Sequence, residues 1–415
     1  MSYRALPVVL EKAIVECREK SQPLVRNALI HLWFDACKRN ADGSVFVQTG
    51  DIPAMWIRDS TWQISPILRF ANDPEIASVI AGVIQSQVKF LSIDPYANAF
   101  NNEPNGSCWH KDFEDQSPWV FERKWELDSI SGFLELSVGF AVHADTREHL
   151  TTEWFALVER ILDLLEAEQH HDPKSYRFVR NNAPAHDYLS HDGYGAPFKP
   201  CGLVWDAFRP SDDACELPFH VPSNMHLESA LAVTSELILA ESHPKLAKRA
   251  KKLSKSIRKA IRKHAIVKVN GRKLFAYEVD GLGGRVLMDD ANYPSLASEL
   301  PWLSWIDQRA AANTEAFIYS PENPWYFTGT HAQGVGSPHT GQDMVWPLGI
   351  AMRGLRQNFT EGLELIEKTV TGDLNIHESF NVNDPSQFTR EWFSWAEMTY
   401  VELAFSEREA RQTGQ

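Results

Sequence analysis

Residues 73–91 read DPEIASVIAGVIQSQVKFL and decide the fold class. Their isoleucines and valines recur three and four residues apart, which is the spacing of one face of an α-helix. Asp73 is a preferred N-terminal capping residue and Pro74 suits the first helical position, so the helix has a clear start. The same periodicity returns along the whole chain and predicts a mainly helical protein.

Twelve segments carry this periodicity: 6–20, 24–38, 60–71, 75–92, 126–142, 151–168, 223–241, 244–264, 302–316, 342–356, 360–371 and 391–408. Strand signals are few. Residues 264–280, HAIVKVNGRKLFAYEVD, alternate around an Asn-Gly turn and predict one β-hairpin. No repeat and no linker composition divides the 415 residues, so we expect a single domain over residues 1–415.

Long loops separate these helices and hold most of the unusual residues. They cover residues 40–59, 93–125, 169–222, 280–301, 317–341 and 372–390. Loops of this length in a compact domain are usually functional. A ring of helical hairpins with its loops gathered at one mouth fits both observations.

The composition excludes several classes of partner. Hydrophobic residues make up 43% and charged residues 23%, and 55 acids against 41 bases give a formal charge of -14. This charge argues against nucleic acid, whose phosphates require a basic face, and favours a neutral or cationic small molecule. The first 20 residues lack a signal-peptide pattern and no run of about 18 apolar residues occurs. We therefore expect a cytoplasmic protein without a membrane partner.

The five cysteines are spread along the chain without a CxxC pair: Cys17, Cys37, Cys108, Cys201 and Cys215. This pattern indicates reduced thiols and not a disulfide framework or a zinc site. HExxH and three-histidine sets are also absent from the sequence, so a zinc cofactor is not expected.

Fourteen tryptophans occur, many of them beside polar residues, as in AMWIRDS, RKWELDS and REWFSW. A tryptophan ring buried in an apolar core is not stabilised by charged neighbours. A carbohydrate site, in contrast, uses flat rings against sugar faces and charged groups on the hydroxyls. Some of these rings are therefore expected to face a cavity.

Two acids follow tryptophans at the starts of predicted helices. Arg58 and Asp59 come after Trp56, and Asp128 comes after Trp125. Each acid has two interpretations: a helix-capping residue, or a group that binds sugar hydroxyls at a cavity rim. The recurrence beside tryptophan favours the second.

The stretch FRPSDDAC, residues 208–215, places Asp212 and Asp213 side by side. Capping of a loop is one interpretation. Hydrolysis of a glycosidic bond is the other, since it needs one carboxyl group to protonate the leaving oxygen and a second to attack or to activate water. Glu378, in the loop before the last helix, is the second candidate, whereas Glu397 and Glu402 fall inside that helix.

A third cluster lies in residues 334–352, GVGSPHTGQDMVWPLGIAM. Its polar candidates are Ser337, His339, Thr340, Gln342 and Asp343. Its glycines do not form a phosphate loop, because the GK[ST] signature is absent. The stretch MDDANYPSL (288–296) offers Asp289, Asp290 and Asn292 either as substrate ligands or as a solvated turn.

A magnesium-dependent alternative rests on DDACE, residues 212–216, as a variant of an aspartate-rich box that would ionise a prenyl diphosphate. These acids follow a Pro-Ser loop and no second box is found downstream. The polar, tryptophan-rich loops also suit sugars better than an isoprenoid.

With these motifs in hand, the chain resembles glycoside hydrolase family 125, the metal-independent exo-α-1,6-mannosidases. The matching stretches are TGDIPAMWIRDS, KWELDSISGF, FRPSDDA, VPSN, MDDANYPSL, GSPHTGQDMVWPL and HESFNVNDPSQFTREWFSWA, spanning residues 49–396. The resemblance implies an all-α (α/α)6 toroid, inverting chemistry, an active site at the loop mouth, and neither metal nor other cofactor.

The resemblance implies that the acid lies in RPSDD and the base in HESF. By analogy with the glucoamylase-like toroids Asp212 is the acid and Glu378 the base, with Asp213 as an alternative acid and Glu391 of TREW as an alternative base. Nearby negative charge on Asp213 and Glu378 is expected to raise the pKa of Asp212. The remaining candidates would bind the sugar: Trp56, Arg58, Asp59, Asp128, Arg209, Asp213, Ser337, His339, Thr340, Gln342, Asp343 and Glu391. An α-glucosidase, a trehalase and a non-catalytic glycan-binding toroid stay open as alternatives.

Overall fold

The computed structural model describes residues 5–370 and 372–414. This part of the chain contains fifteen helices, twelve of them at least eight residues long. They are α1 (Val8–Glu16), α2 (Gln22–Ile30), α3 (Ile57–Ile64), α4 (Pro74–Ile93), α5 (Leu127–His143), α6 (Thr152–Glu168), α7 (Ser190–Gly193), α8 (Val221–Thr234), α9 (Ala240–Ser242), α10 (Pro244–Ala260), α11 (Leu296–Glu299), α12 (Gln308–Ile318), α13 (Pro347–Gln357), α14 (Phe359–Glu367) and α15 (Ser394–Thr413).

Several helices continue into a tighter or wider turn. Residues Ser65–Phe70 and Leu300–Trp302 form 3-10 turns after α3 and α11, and a further 3-10 turn covers Ala185–Asp187. Wider π-type turns follow α2, α8 and α10, at His31–Ala36, Ser235–Leu239 and Ile261–Ala265.

Short antiparallel strands connect the helices. They are β1 (Cys37–Arg39), β2 (Val45–Val47), β3 (Met55–Trp56), β4 (Ala99–Phe100), β5 (Val120–Glu122), β6 (Phe219–His220), β7 (Ile266–Val269), β8 (Arg272–Phe275), β9 (Glu278–Val279), β10 (Arg285–Val286), β11 (Tyr326–Thr328), β12 (Gln333–Val335), β13 (Met344–Val345), β14 (Ser379–Asn381) and β15 (Phe388–Thr389). They form six small sheets, ordered β1-β2, β3-β4-β5, β6-β9-β10, β7-β8, β11-β12 and β13-β14-β15.

Six helices close into an inner ring. Going round it, α3 packs on α5, α5 on α8, α8 on α11, α11 on α13 and α13 on α15, and α15 returns to α3. A second set packs around this ring: α4 on α5, α10 on α8, α12 on α11, α14 on α13 and α2 on α15, with α6 between α4 and α10. Helix α1 lies outside, against α2. The predicted (α/α)6 toroid is therefore confirmed.

All twelve helices predicted from periodicity are present, although several begin or end a few residues from the predicted bounds. The segment predicted at 302–316 becomes helical only at Gln308, because Asp307 accepts a hydrogen bond from the Ala310 N–H and caps the helix there. Helix α11, an inner-ring member, lies inside a segment predicted as a loop. It has four residues, too few to show a helical period.

The hairpin predicted at 264–280 is also confirmed, as β7 paired with β8. Asn270 and Gly271 form its turn with φ of 49° and 81°, the left-handed conformation that an Asn-Gly turn supplies. The five cysteines are free, as their spacing predicts.

Helix α4 is, within the described residues, the single helix long and apolar enough to cross a membrane by length and composition. Its apolar window is 61% buried inside the protein. It packs against β2, α5 and α6, so its apolar residues serve the packing of the toroid.

Gly82 of α4 offers a test of this packing. A Cβ at this position would lie 2.6 Å from both the Gly43 carbonyl oxygen and Val45 Cγ2. We expect Gly82→Ala to lower the free energy of unfolding by about 1–3 kcal/mol, because overpacking against backbone outweighs the gain in helix propensity. Urea unfolding followed by circular dichroism measures this change.

Gly372→Ala is the control, since a Cβ there meets nothing within 4 Å. We expect it to change stability by less than about 0.5 kcal/mol. Equal stability of Gly82→Ala and the native protein would contradict the packing described for α4.

Candidate active site

The loops meet over one end of the inner ring and surround a partly open pocket. Its lining comes from five of the six predicted loops and from the starts of α3, α13 and α15. The lining residues are Thr49, Ile52, Trp56, Arg58, Asp59, Pro210, Ser211, Asp212, Asn292, His339, Trp346, Glu378, Arg390, Phe393 and Trp395. Six of the sequence-predicted candidates therefore share one cavity: Trp56, Arg58, Asp59, Asp212, His339 and Glu378.

The residues that precede the inner helices are turned toward this end of the ring. The N-cap positions of α3, α5, α13 and α15 hold Trp56, Glu126, Trp346 and Phe393, and none of them caps its helix with a side-chain hydrogen bond. These positions usually carry Ser, Thr, Asp or Asn. Here the three aromatic side chains line the pocket, and Glu126 accepts a hydrogen bond from Arg58 outside the lining.

Arg58 lies at the centre of the charged groups. Its two terminal nitrogens donate to Glu126 Oε2 at 2.6 Å and to Asp212 Oδ1 at 3.0 Å. Its Nε is 3.3 Å from Asp59 Oδ1, and one terminal nitrogen is 3.5 Å from Asp128 Oδ1. The guanidinium is buried and faces four carboxyl groups, more than one positive charge can neutralise.

A tight loop presents Asp212 to the pocket. Phe208 and Ala214 form an isolated antiparallel bridge, and within it the Arg209 N–H donates to the Asp213 carbonyl. Asp212 takes the left-handed conformation with φ of 65°, which costs an aspartate less than most residues. Lys124 Nζ, itself buried, donates to the Asp212 carbonyl oxygen at 2.7 Å and fixes the loop.

The expected increase in the pKa of Asp212 is wrong. Burial acts in the expected direction, but Arg58, Lys124, a hydrogen bond from Glu126 and the charge of His339 together lower the pKa of Asp212 below its ordinary value. In the free protein Asp212 is therefore ionised.

The pKa values of the other carboxyl groups around Arg58 are raised, in contrast to that of Asp212. Burial raises the pKa of Glu126 well above its ordinary value, against the pull of Arg58, and Asp212 and Asp128 add to the increase. Burial likewise raises the pKa of Asp59 and of Asp128 to about 6. The cluster therefore retains protons on groups other than Asp212.

Asp213 turns away from Asp212 and is bonded to His339. The distance between Asp213 Oδ1 and His339 Nδ1 is 2.9 Å. Burial opposes a charge on His339, but the hydrogen bond and charge of Asp213, with Glu378 and Asp212, raise the pKa of His339 to about 9. The imidazolium of His339 lines the pocket while Asp213 supports it from behind.

His186, Asp213 and His339 are the one group of potential metal-binding side chains within the described ranges, with candidate atoms within 4.8 Å of one another. Two of the three already bond to each other. The acids of the alternative magnesium box also have separate partners: Asp212 contacts Arg58, Asp213 contacts His339, and Glu216 is exposed near Arg209. The residues of that box do not converge on one ligand position.

Glu378 approaches the pocket from the loop before α15. It is 7% exposed, and its N–H donates to the Thr389 carbonyl at 3.3 Å. Arg390 lies 3.8 Å from Glu378 Oε1 and also binds Asp51 and the Thr49 carbonyl, so it joins two loops of the mouth. Asp212 and Glu378 therefore reach the same cavity from two different loops.

Three tryptophans form apolar walls of the pocket. Trp346 Nε1 donates to Thr340 Oγ1 at 2.8 Å, and Trp395 Nε1 donates to the Tyr293 hydroxyl at 2.7 Å. Trp56 Nε1 is buried without a hydrogen-bond partner among the residues that the structure describes. The expectation that some tryptophans face a cavity is confirmed.

Other predicted candidates lie outside the pocket lining. Arg209 points away because it pairs with the buried Glu278. Ser337 donates to Asp290 Oδ2, and Thr340 holds Trp346. Three further candidates lie toward the surface: Gln342, Asp343 and Glu391. Asp128 is buried behind Arg58.

Residues 288–296 contribute two aspartates that hydrogen bond to neighbouring groups and one residue that lines the pocket. Asp289 accepts from the Leu296 and Ala297 N–H groups at the start of α11, and Asp290 binds Asn292 and Ser337. Both aspartates are buried, so this is not a solvated turn. Asn292 alone of the three lines the pocket.

Sequence reasoning missed three charged residues of the site: Lys124, Glu126 and Arg390. It offered Asn292 only as one of two interpretations. Glu126 and Lys124 stand beside Trp125 in the KWELD stretch, in which the sequence pattern points to Asp128 alone. Arg390 stands beside Glu391 in TREW, and the structure turns the arginine toward the pocket and leaves the glutamate exposed. Charged residues within two positions of Trp125 and Trp392 were the available signal.

Comparison with known proteins agrees with this site. Residues 8–405 match the family described as metal-independent α-mannosidases (GH125). A Streptococcus pneumoniae structure from a family of metal-independent α-mannosidases, in a non-productive complex with α-1,6-mannobiose, is 34% identical, with a TM-score of 0.92 and 97% of each chain covered. The Meiotically up-regulated gene 157 protein of Schizosaccharomyces pombe is 36% identical over 398 residues, covering 89% of this chain and 78% of that protein.

A bacterial glucoamylase complexed with acarbose shares the fold. It is 13% identical with a TM-score of 0.62, and the alignment covers 96% of this chain and 57% of the glucoamylase chain. The family match spans nearly the whole chain and is far more specific than this likeness. The chain is thus a glycoside hydrolase of the α-mannosidase type and belongs to glycoside hydrolase family 125.

Proposed function

We propose that the chain is an exo-acting α-1,6-mannosidase that releases terminal non-reducing α-mannose with inversion of anomeric configuration. The observation that carries the proposal is the convergence of Asp212 and Glu378, from two loops, on a single small pocket. A pocket with three tryptophans and several charged groups suits one sugar unit, and exo-action removes one unit at a time. The linkage is proposed from the mannobiose bound in the related Streptococcus pneumoniae structure.

In this proposal Asp212 protonates the glycosidic oxygen and Glu378 accepts a proton from the attacking water. An inverting enzyme needs these two groups on opposite faces of the sugar, separated by enough room for the water. Arg390 lies 3.8 Å from Glu378 Oε1, so a positive charge faces the proposed base.

The terminal mannose would be bound by the other groups of the lining. The charged and polar members are Arg58, Asp59, Asn292 and His339, and the ring members are Trp56, Trp346 and Trp395. Asp128 and Asp213 would act behind them, by holding Arg58 and His339. Metal is not needed for any of these roles.

The first prediction concerns the two carboxyl groups. On α-1,6-mannobiose, Asp212→Asn and Glu378→Gln are each expected to lower kcat by about 100-fold or more, the usual contribution of a general acid or base. Released mannose measured against time gives these rates. Disaccharides of α-1,2-mannose, α-1,3-mannose and glucose test the linkage and the sugar.

Glu391→Gln is the control, because Glu391 is exposed and outside the pocket lining. We expect its kcat to stay within a few fold of the native value. If Glu391→Gln were inactive while Glu378→Gln kept its activity, the assignment of the base would be wrong. Faster cleavage of a glucose disaccharide than of mannobiose would favour the α-glucosidase alternative.

A second prediction follows from His339. Its pKa of about 9 is above the ordinary value of a histidine, so the ring is charged at pH 7 and loses its charge only as the pH rises through about 9. We expect KM for mannobiose to be constant between pH 6.5 and 8 and to rise roughly tenfold above pH 9, when a charge-assisted hydrogen bond to the sugar is lost.

His339→Gln tests the cause of this rise. It should have a higher KM at pH 7 and no further increase between pH 8 and 10. A rise in KM of the same size in His339→Gln and in the native protein would assign the pH dependence to another group.

A further inference from the structure

Glu126 and Asp212 are held side by side by the same two donors. Arg58 donates to both, at 2.6 Å and 3.0 Å. The Asn98 amide nitrogen donates to Glu126 Oε1 at 3.0 Å and is 3.5 Å from Asp212 Oδ1. These shared donors place the two carboxyl groups side by side, and each group acts on the pKa of the other. Two ionised carboxylates so close would repel each other, whereas one proton between them can form a hydrogen bond, so we expect the pair to retain one proton.

The charged groups around the pair decide where that proton resides. Glu126 is 1% exposed and faces Arg58 from α3, Asp128 from α5 and Asp212 from the 208–214 loop. Asp212 has two further cationic neighbours, Lys124 and His339, which favour its charge. The Glu126 side chain is fully buried whereas that of Asp212 is 23% exposed, so burial and the two cations both favour the proton on Glu126 and the charge on Asp212.

This placement leaves the proposed acid without a proton at the start of the reaction. A general acid must be protonated when the glycosidic bond breaks. The nearest proton is the one in the hydrogen bond from Glu126. The mannose oxygen would enter beside Asp212, whose side chain is 23% exposed, while Glu126 stays covered.

We propose that Glu126 is a positioning residue that stores the proton which Asp212 delivers to the leaving oxygen. This inference rests on the function proposed above. The two carboxyl groups share one proton across their hydrogen bond, and Arg58 and Asn98 hold them in the geometry of transfer. When the glycosidic oxygen binds at Asp212, the proton moves from Glu126 to Asp212 and then to that oxygen.

The protons balance over one turnover. The carbon–oxygen bond of the glycoside breaks as the leaving oxygen takes the proton of the pair, and Glu378 takes one proton from the attacking water. The pair is then fully ionised and Glu378 is protonated. Passage of one proton from Glu378 to the pair through solvent restores the starting state, so no other reactant is consumed.

Glu126→Gln tests the proposal with two substrates. The amide introduced by this substitution can still donate a hydrogen bond to Asp212, but its proton is not transferable. With α-1,6-mannobiose, whose leaving group needs a proton, kcat is expected to fall about 100-fold. With 2,4-dinitrophenyl α-mannoside, whose leaving group needs none, kcat should stay within a few fold. An equal loss on both substrates would indicate a merely structural role and overturn the proposal.

Glu122→Gln is the matched control. Glu122 is buried and accepts from the same Asn98 amide at 3.1 Å, but its ionic partners are Arg180 and Lys124. We expect its ratio of activities on the two substrates to equal that of the native protein. If Glu122→Gln changed this ratio as much as Glu126→Gln does, Glu126 would have no special role in supplying the proton.

A measurement on the native protein does not depend on the folding or activity of the Glu126 variant. With ¹³C at the glutamate side-chain carboxyl groups, NMR at pH 7 should show a protonated glutamate whose signal moves in Asp212→Asn. This result would hold even if mannobiose were not the substrate. If no protonated glutamate carboxyl responds to Asp212→Asn, the shared proton does not exist and the proposal fails.

Discussion

The buried guanidinium of Arg58 is the group on which the rest of the site depends. It holds Glu126 and Asp212 directly and lies near Asp59 and Asp128, and its charge sits 5.4 Å from the Trp395 ring. These partners come from α3, α5, α15 and the 208–214 loop, so one side chain joins three inner helices to the loop of the proposed acid. One positive charge cannot neutralise four carboxylates, and burial makes unpaired charge costly. Protons retained in the cluster are therefore a consequence of the fold.

The toroid explains why such a cluster forms at this end. Four inner helices begin there with Trp56, Glu126, Trp346 and Phe393 at their N-cap positions, so their first side chains converge. The favourable effect of helix N-termini on negative charge adds to that of the cations. Loops between the helices then bring further acids, including Glu378, without disturbing the ring.

Periodicity predicted the helices well because burial of one face imposes a 3.6-residue spacing, whereas α11 has only four residues and no period to show. The motifs located the pocket, but not the direction of each side chain: Arg390 faces the cavity and its neighbour Glu391 does not. The pKa of Asp212 was predicted in the wrong direction because the cations that lower it, Arg58 and Lys124, lie 154 and 88 residues away along the chain. Such contacts have no local sequence signal.

In the proposed mechanism, an acid supplied with a proton by a buried neighbour and a separate base would hydrolyse the glycosidic bond with inversion. The anomer released first tests this central claim most directly. Proton NMR of the EDTA-treated protein acting on α-1,6-mannobiose should show β-mannose before mutarotation produces the α form. Initial release of α-mannose would contradict the inverting pair, because it would require a covalent intermediate on one of the two carboxyl groups.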